Sequence, residues 1–175
     1  YLKNITKFDW IVFASRFGVE YFFKRLYQNG FDTRALAGLE IAAIGLSTAN
    51  RLLDFGIRAD LIPKEESSRG LLRELSKIDL KGKKVFIPRS NLGDKGLNTG
   101  LAVLGARVDS AVAYRNIPAG SLPDLDLSTF DEVIFTSPSV IRSFKARYKS
   151  LPENLKVLCI GEVTKREAAR CQLLN

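Results

Sequence analysis

FDWIVFAS at residues 8–15 and FDEVIFTS at residues 130–137 occur once each in the two halves of the chain. Each is a short apolar run rich in Val, Ile and Phe that closes on a serine, and each leads into an amphipathic segment. Consecutive apolar residues without polar alternation suit a strand covered on both faces, as strands of parallel sheets are. A second pair follows in the same order: IAAIGLSTANRLL at 41–53 and VLCIGEVTKREAA at 157–169, in which Gly45 aligns with Gly161 and Thr48 with Thr164. The first pair is offset by 122 residues and the second by 116. Two ordered motifs recurring at nearly one spacing indicate an internal duplication.

Outward from these stretches, strand candidates at 9–14, 39–44, 59–62, 84–88, 107–113, 132–136 and 156–160 alternate with helix candidates at 16–28, 47–55, 67–77, 94–104, 139–149 and 162–172. The alternation predicts βαβ units and parallel sheets. Pro118, Gly120 and Pro123 mark 115–129 as a linker or crossover loop. GKKVFIPR (82–89) and its helix precede the second copy, and nothing equivalent precedes Phe8. The repeat therefore predicts roughly 40 further residues upstream and about 28 downstream, with Tyr1 not the natural start.

The 175 residues are 46% hydrophobic and 26% charged, an ordinary globular composition and enough for one large or two small domains. No stretch approaches the length of apolar chain that a membrane-spanning helix needs. Histidine is absent, which removes Ser-His-Asp and Cys-His catalysis and histidine zinc sites. Cys159 and Cys171 are too few for a disulfide framework or a cysteine metal site and read as buried reduced thiols of a cytoplasmic protein. The net charge of +8 favours acidic partners without naming one.

Five strand-to-helix turns carry the candidate chemistry: Ser15-Arg16, Gly45 to Thr48, Arg89-Ser90-Asn91, Ser137-Pro138-Ser139 and Gly161 to Thr164. In parallel sheets such turns share the carboxyl edge, where ligands bind. Each helix start offers unpaired N–H groups and partial positive charge to a carboxylate or phosphate, and Ser and Thr add hydroxyl donors. Plain helix capping explains any one of them; five together tilt toward anion recognition. Neither GxGxxG nor a Walker loop is present, so nucleotide binding is unsupported, and no aromatic-basic interleaving suggests an RNA platform. Tyr114 closes the apolar strand before the linker, where its phenol either packs or serves a cleft as a proton or hydrogen-bond donor.

Taken together, FDWIVFAS, FDEVIFTSPSVIRSF, the two IG-x-x-T turns (Ile44 to Thr48 and Ile160 to Thr164), GIRADLIP (56–63), GKKVFIPRSN (82–91), GARV (105–108) and AYR (113–115) resemble the uroporphyrinogen-III synthase family. The resemblance implies an α/β protein of two similar parallel-sheet βαβ domains, flavodoxin-like, joined by a flexible two-strand hinge with a cleft between them. Residues 1–113 would form the continuous domain, and 114–175 part of a discontinuous one whose first strands lie upstream. The run GVEYFFKRL (18–26) is similar to the version often fused to a uroporphyrinogen methyltransferase.

The implied activity is the cofactor-free, metal-free cyclisation of the linear tetrapyrrole hydroxymethylbilane, with loss of water and inversion of ring D. The substrate is a polycarboxylate, which suits a basic chain; holding it for closure through a spiro intermediate is chiefly an orientation problem. The implied setting is a cytoplasmic monomer supplied by the deaminase that makes the substrate, with no nucleic-acid or membrane partner. By position, Tyr114 matches the tyrosine proposed to assist hydroxyl departure. Substrate contacts fall to Ser15 and Arg16 in the first turn, Gly45, Ser47 and Thr48 in the second, and Arg89 and Ser90 in the third. In the second copy they fall to Thr136, Ser137, Ser139, Gly161 and Thr164. The first turn departs from the family in Ala14, where threonine is usual, and in Arg16-Phe17, where many members have proline or valine followed by a variable residue. A non-catalytic, two-lobed module for anions or small molecules is the alternative, and charge alone suggests a nucleic-acid binder.

Overall fold

The computed structural model describes all residues except Asp94, Pro118, Ser121, Leu122 and Asn175. It divides into two compact units, Tyr1–Asn116 and Ile117–Asn175.

The first unit is built on strands β1 (Trp10–Phe13), β2 (Glu40–Ala43), β3 (Lys84–Ser90) and β4 (Arg107–Tyr114) and helices α1 (Arg16–Gln28), α2 (Leu46–Leu53), α3 (Ser68–Leu75) and α4 (Lys95–Val103). All strand pairs are parallel, in the order β2-β1-β3-β4. Side chains alternate across the strands. Ile11, Phe13 and Phe86 join Phe22, Phe23, Leu26 and Leu52 of α1 and α2 on one face. Trp10, Val12, Val85 and Ile87 join Leu71, Leu75, Leu97 and Leu101 of α3 and α4 on the other. Covering both faces is why β1 reads as one unbroken apolar run, and all four of its residues are buried. Asp9 locks the central pair: its carboxylate accepts from Lys84 N–H at 2.8 Å and from Lys83 Nζ at 3.1 Å.

Each helix falls within two residues of its expected bounds. The expected strand at 59–62 does not form; Leu61 makes an isolated parallel bridge to Ala42. Asp60 uses its carboxylate, at 2.7 Å, to accept from Ile41 N–H in place of a ladder carbonyl, and Pro63 has no N–H with which to continue a ladder.

The second unit holds β5 (Glu132–Phe135), α5 (Pro138–Arg147), β6 (Lys156–Cys159) and α6 (Glu162–Arg170), with β5 and β6 parallel. Phe135, Ile141, Ala168 and Leu173 form its core against Val133, Val157 and Phe144. Ile134, Leu158 and Ile160 point to the opposite face and are exposed. Cys159 and Cys171 are unpaired but only half-buried, a correction to the expectation of buried thiols: they sit at the margin of this small core. In the linker a short 3-10 turn spans Leu127–Thr129, and Tyr148 Oη donates to Pro123 O at 2.9 Å; Pro118, which helped mark the linker, lies outside the described residues.

The repeated motifs make the same main-chain bonds. Glu40 N–H donates to Asp9 O and Lys156 N–H to Asp131 O, each at 2.9 Å; Ile44 N–H donates to Phe13 O at 3.0 Å and Ile160 N–H to Phe135 O at 2.9 Å.

Candidate functional site

In the first unit the chain order reverses between β1 and β3, and in open parallel sheets the crevice beyond the carboxyl ends at such a switch point is where ligands bind. Ser15 follows β1, Arg89 and Ser90 end β3, and Tyr114 ends β4. The structure brings two of these together: Ser15 Oγ and Tyr114 Oη are 3.0 Å apart. Ser15 also caps α1, its Oγ accepting from Gly18 N–H at 3.0 Å. The Tyr114 ring stacks on Tyr21, with centroids 5.5 Å apart, and tilts against Phe17 at 6.0 Å.

Arg16 is exposed, its guanidinium 4.9 Å from the Phe17 ring centroid, and among the described residues no carboxylate pairs with it. Arg89 is half-buried and turned inward: Nε donates to Ser110 Oγ at 3.3 Å and Nη1 to Ser90 O at 3.1 Å. Ser90 Oγ accepts from Leu92 N–H at 3.1 Å, so this hydroxyl builds the turn. Arg89 and Ser90 thus spend donors and acceptors within the fold, whereas Arg16 keeps its charge free.

From the start of α1 a groove of about 740 Å³ runs between α1 and α2, lined by Arg16, Phe17, Glu20, Ser47, Asn50 and Arg51 together with Asp54. Ser47 is therefore in the same groove as Arg16. Arg51 is partly neutralised there by Asp54 at 2.9 Å and Glu20 at 3.5 Å. The second turn already holds an anion of the chain itself: Leu46 N–H donates to the Glu66 carboxylate at 3.1 Å. That carboxylate lies against Gly45, where any Cβ would collide with it.

In the second unit Ser137 caps α5 with Pro138 in the first turn, as expected, but its side chain does not bond the helix N–H groups. Ser137 Oγ lies 3.1 Å from Ser139 Oγ instead. Thr136 is exposed. Gly161 precedes α6 with φ 83°, a left-handed conformation that glycine adopts without a Cβ penalty. Among the described residues Thr48 and Thr164 are the two buried polar residues, 3% and 4% exposed, while the buried side-chain oxygen left without a hydrogen-bond partner is Asn98 Oδ1. The described residues hold no group of three or more metal-ligating side chains, and no helix among them is long and apolar enough to cross a membrane.

The uroporphyrinogen-III synthase HemD family model matches residues 1–175, the whole chain. The chain belongs to the uroporphyrinogen-III synthase family. Its members are lyases of tetrapyrrole biosynthesis that act on a tetrapyrrole substrate. A relative from Methanothermobacter thermautotrophicus, named for the same enzyme, is 33% identical over 94% of this chain and 70% of its own length. The uroporphyrinogen-III synthase of Chlorobaculum parvum is 27% identical over 93% of this chain and 70% of its own. In fold, the chain is similar to the crystal structure of a mutant uroporphyrinogen III synthase from Thermus thermophilus, with a TM-score of 0.70, 18% identity, and coverage of 98% of this chain and 72% of that one.

Sequence reasoning passed over Tyr21, Glu66, Asn50 and Arg51. The last two were legible, since Ser47, Asn50, Arg51 and Asp54 recur at helical spacing on one face of α2. Glu66 was not: nothing in its local sequence says that it folds back on a turn 20 residues earlier.

Proposed function

We propose that the protein is a uroporphyrinogen-III synthase in which Tyr114 serves as the proton donor to the departing hydroxyl of hydroxymethylbilane. The observation that carries the residue assignment is the phenol reaching across the carboxyl edge of the sheet to within 3.0 Å of the serine that caps α1. Loss of water breaks the terminal C–O bond. The phenol proton goes to the departing oxygen, the cationic carbon stays on the bilane, and ring D is attacked at its substituted carbon to give the spiro intermediate. After rearrangement and closure, the proton lost from the ring-D carbon returns to the phenolate, so none is consumed.

The carboxylate arms are held by Arg16, Ser47 and the main-chain N–H groups of the α1, α5 and α6 turns, with the hydroxyls of Thr48 and Thr164 as further donors. Gly45, Arg89, Ser90, Thr136, Ser137 and Ser139 shape the turns around them. What supports this is the free charge of Arg16, the matching burial of Thr48 and Thr164 in the two repeated turns and the net charge of +8. Within this reading the protein acts without cofactor or metal, as a cytoplasmic monomer, and takes its substrate from the deaminase that makes it.

The second unit is, in the same reading, one part of a discontinuous domain. Its support is the open apolar face of Ile134, Leu158 and Ile160, together with the Asp131 carboxylate, which has no partner among the described residues where Asp9 has Lys83 and Lys84. Parallel strands are ordinarily covered on both faces.

The test is to supply freshly made hydroxymethylbilane and separate the product isomers. The type III isomer is expected, and type I alone at the no-protein rate would overturn the proposal. Tyr114→Phe is expected to lower turnover by roughly tenfold or more, about 1.4 kcal/mol of transition-state stabilisation; wild-type turnover would reduce the phenol to a packing group.

A further inference from the structure

Tyr114 is held from three directions. Its carbonyl accepts from Asn91 N–H at 3.2 Å, and Asn91 grips the chain two residues on, its Oδ1 accepting from Asn116 N–H at 2.7 Å and its Nδ2 donating to Asn116 O at 3.2 Å. Its ring lies nearly parallel to that of Tyr21, at an interplanar angle of 16°. Its hydroxyl meets Ser15 Oγ. The close approach of α1 depends on Gly18, where a Cβ would stand 3.1 Å from Pro88 O and 3.4 Å from Ser15 Oγ.

A serine hydroxyl has one proton to give and two lone pairs. Gly18 N–H already occupies one lone pair of Ser15 Oγ. If Ser15 gives its proton to Tyr114 Oη, the phenolic proton is left over for a third group. If the phenol donates to Ser15 instead, that proton is spent inside the fold. The first arrangement also puts a donor, at the positive end of the 13-residue helix α1, onto the oxygen that gains negative charge as its proton leaves.

We infer that Ser15 is a positioning residue for Tyr114: its hydroxyl, oriented by the Gly18 N–H, donates to the phenol oxygen and aims the phenolic proton out of the turn toward the departing hydroxyl. This rests on the assignment of Tyr114 above, and it moves the Ser15 side chain from gripping substrate to serving the tyrosine. Its partner in the repeat is built otherwise, since Ser137 bonds Ser139 and caps nothing with its side chain.

Ser15→Gly separates the roles, because glycine is nearly as good an N-cap as serine yet has no hydroxyl. The expected result is a fall in kcat of roughly tenfold with KM unchanged and the melting temperature nearly so. Ser15→Thr restores kcat. Adding Ser15→Gly to Tyr114→Phe produces no further loss. A raised KM at unchanged kcat would mean that Ser15 holds substrate directly; equal losses with and without the phenol, or no rescue by threonine, would mean that it does not act through Tyr114. Each of these overturns the inference while leaving the phenol's role standing. Tyr114→Phe measured alone at the wild-type rate would instead remove the role of the phenol, and this inference with it.

Discussion

The βαβα stretch from β1 to α2 and the stretch from β5 to α6 share their opening sequence, parallel register and bracketing main-chain bonds, yet sit in different surroundings. In the first unit β1 lies between β2 and β3 and is covered on both faces. In the second, β6 is the single strand beside β5 among the described residues, and Ile134, on the face away from α5 and α6, is 57% exposed. The same difference marks the aspartates: Asp9, held chiefly by the Lys84 N–H and also by the Lys83 ammonium, ionises below the usual carboxylate range, whereas Asp131 has no partner among the described residues. Local sequence therefore sets the main-chain bonds that bracket the turn, while the number of strands alongside sets how much core each copy carries.

The largest effect is expected from truncating the phenylalanine that closes each strand. Phe13→Ala and Phe135→Ala both remove fully buried rings, at a cost of about 3–5 kcal/mol each. The first unit, with two core clusters, should survive with reduced protection. The second unit has a core of four buried residues and should lose hydrogen-exchange protection throughout β5 and β6 while β1 to β4 keep theirs. Survival of β5 and β6 would mean that contacts beyond that cluster hold them.

The buried threonines test the opposite point, the proposal that both copies hold ligand at this position. Thr48→Val and Thr164→Val replace the hydroxyl by a methyl group, so stability should fall by no more than the worth of one hydrogen bond, about 1 kcal/mol. Each should lower kcat/KM by roughly tenfold, the worth of one hydrogen bond to a charged group. A large melting loss with unchanged kinetics would make the hydroxyls structural.

A smaller effect separates the glycines. Gly161→Ala forces a left-handed residue and should destabilise by about 1–2 kcal/mol, with open space around it. Gly45 has φ −173°, extended backbone open to any residue. There alanine should leave folding nearly unchanged and displace the Glu66 side chain, visible as a shift of the Leu46 amide resonance. Equal destabilisation of the two variants would contradict this.

The smallest effect is one of pH. Hydrogen bonds from Arg170 and then Arg142 lower the Glu167 carboxyl from its ordinary 4.5 to about 2. A folded value below the unfolded one means stabilisation that is present in full above pH 4.5 and is lost as pH falls toward 2. Hydrogen exchange of α6 should accelerate across that window, and Glu167→Gln should flatten the change. An unaltered profile in the variant would assign the loss to other carboxylates.

The helices, the parallel pairing and the repeated turns were legible in the chain itself because each rests on near neighbours: unbroken apolar runs need cover on both faces, and Ser or Gly before an amphipathic segment starts a helix; the family was legible through the resemblance of the ordered motifs. Helix bounds followed to within two residues. The strand expected at 59–62 failed because a carboxylate and a proline, both plainly in the sequence, outweighed its apolar pattern. Which side chains meet is a matter of the assembled fold. Ser15 and Tyr114 are 99 residues apart and touch because β4 lies beside β3 and β3 beside β1. Arg89 and Ser90, equally good donors on paper, turn inward because Ser110 and Leu92 stand within reach. Hydrogen bonds between elements depend on sheet order, and sheet order is settled by packing two helical layers, which no single stretch of chain encodes.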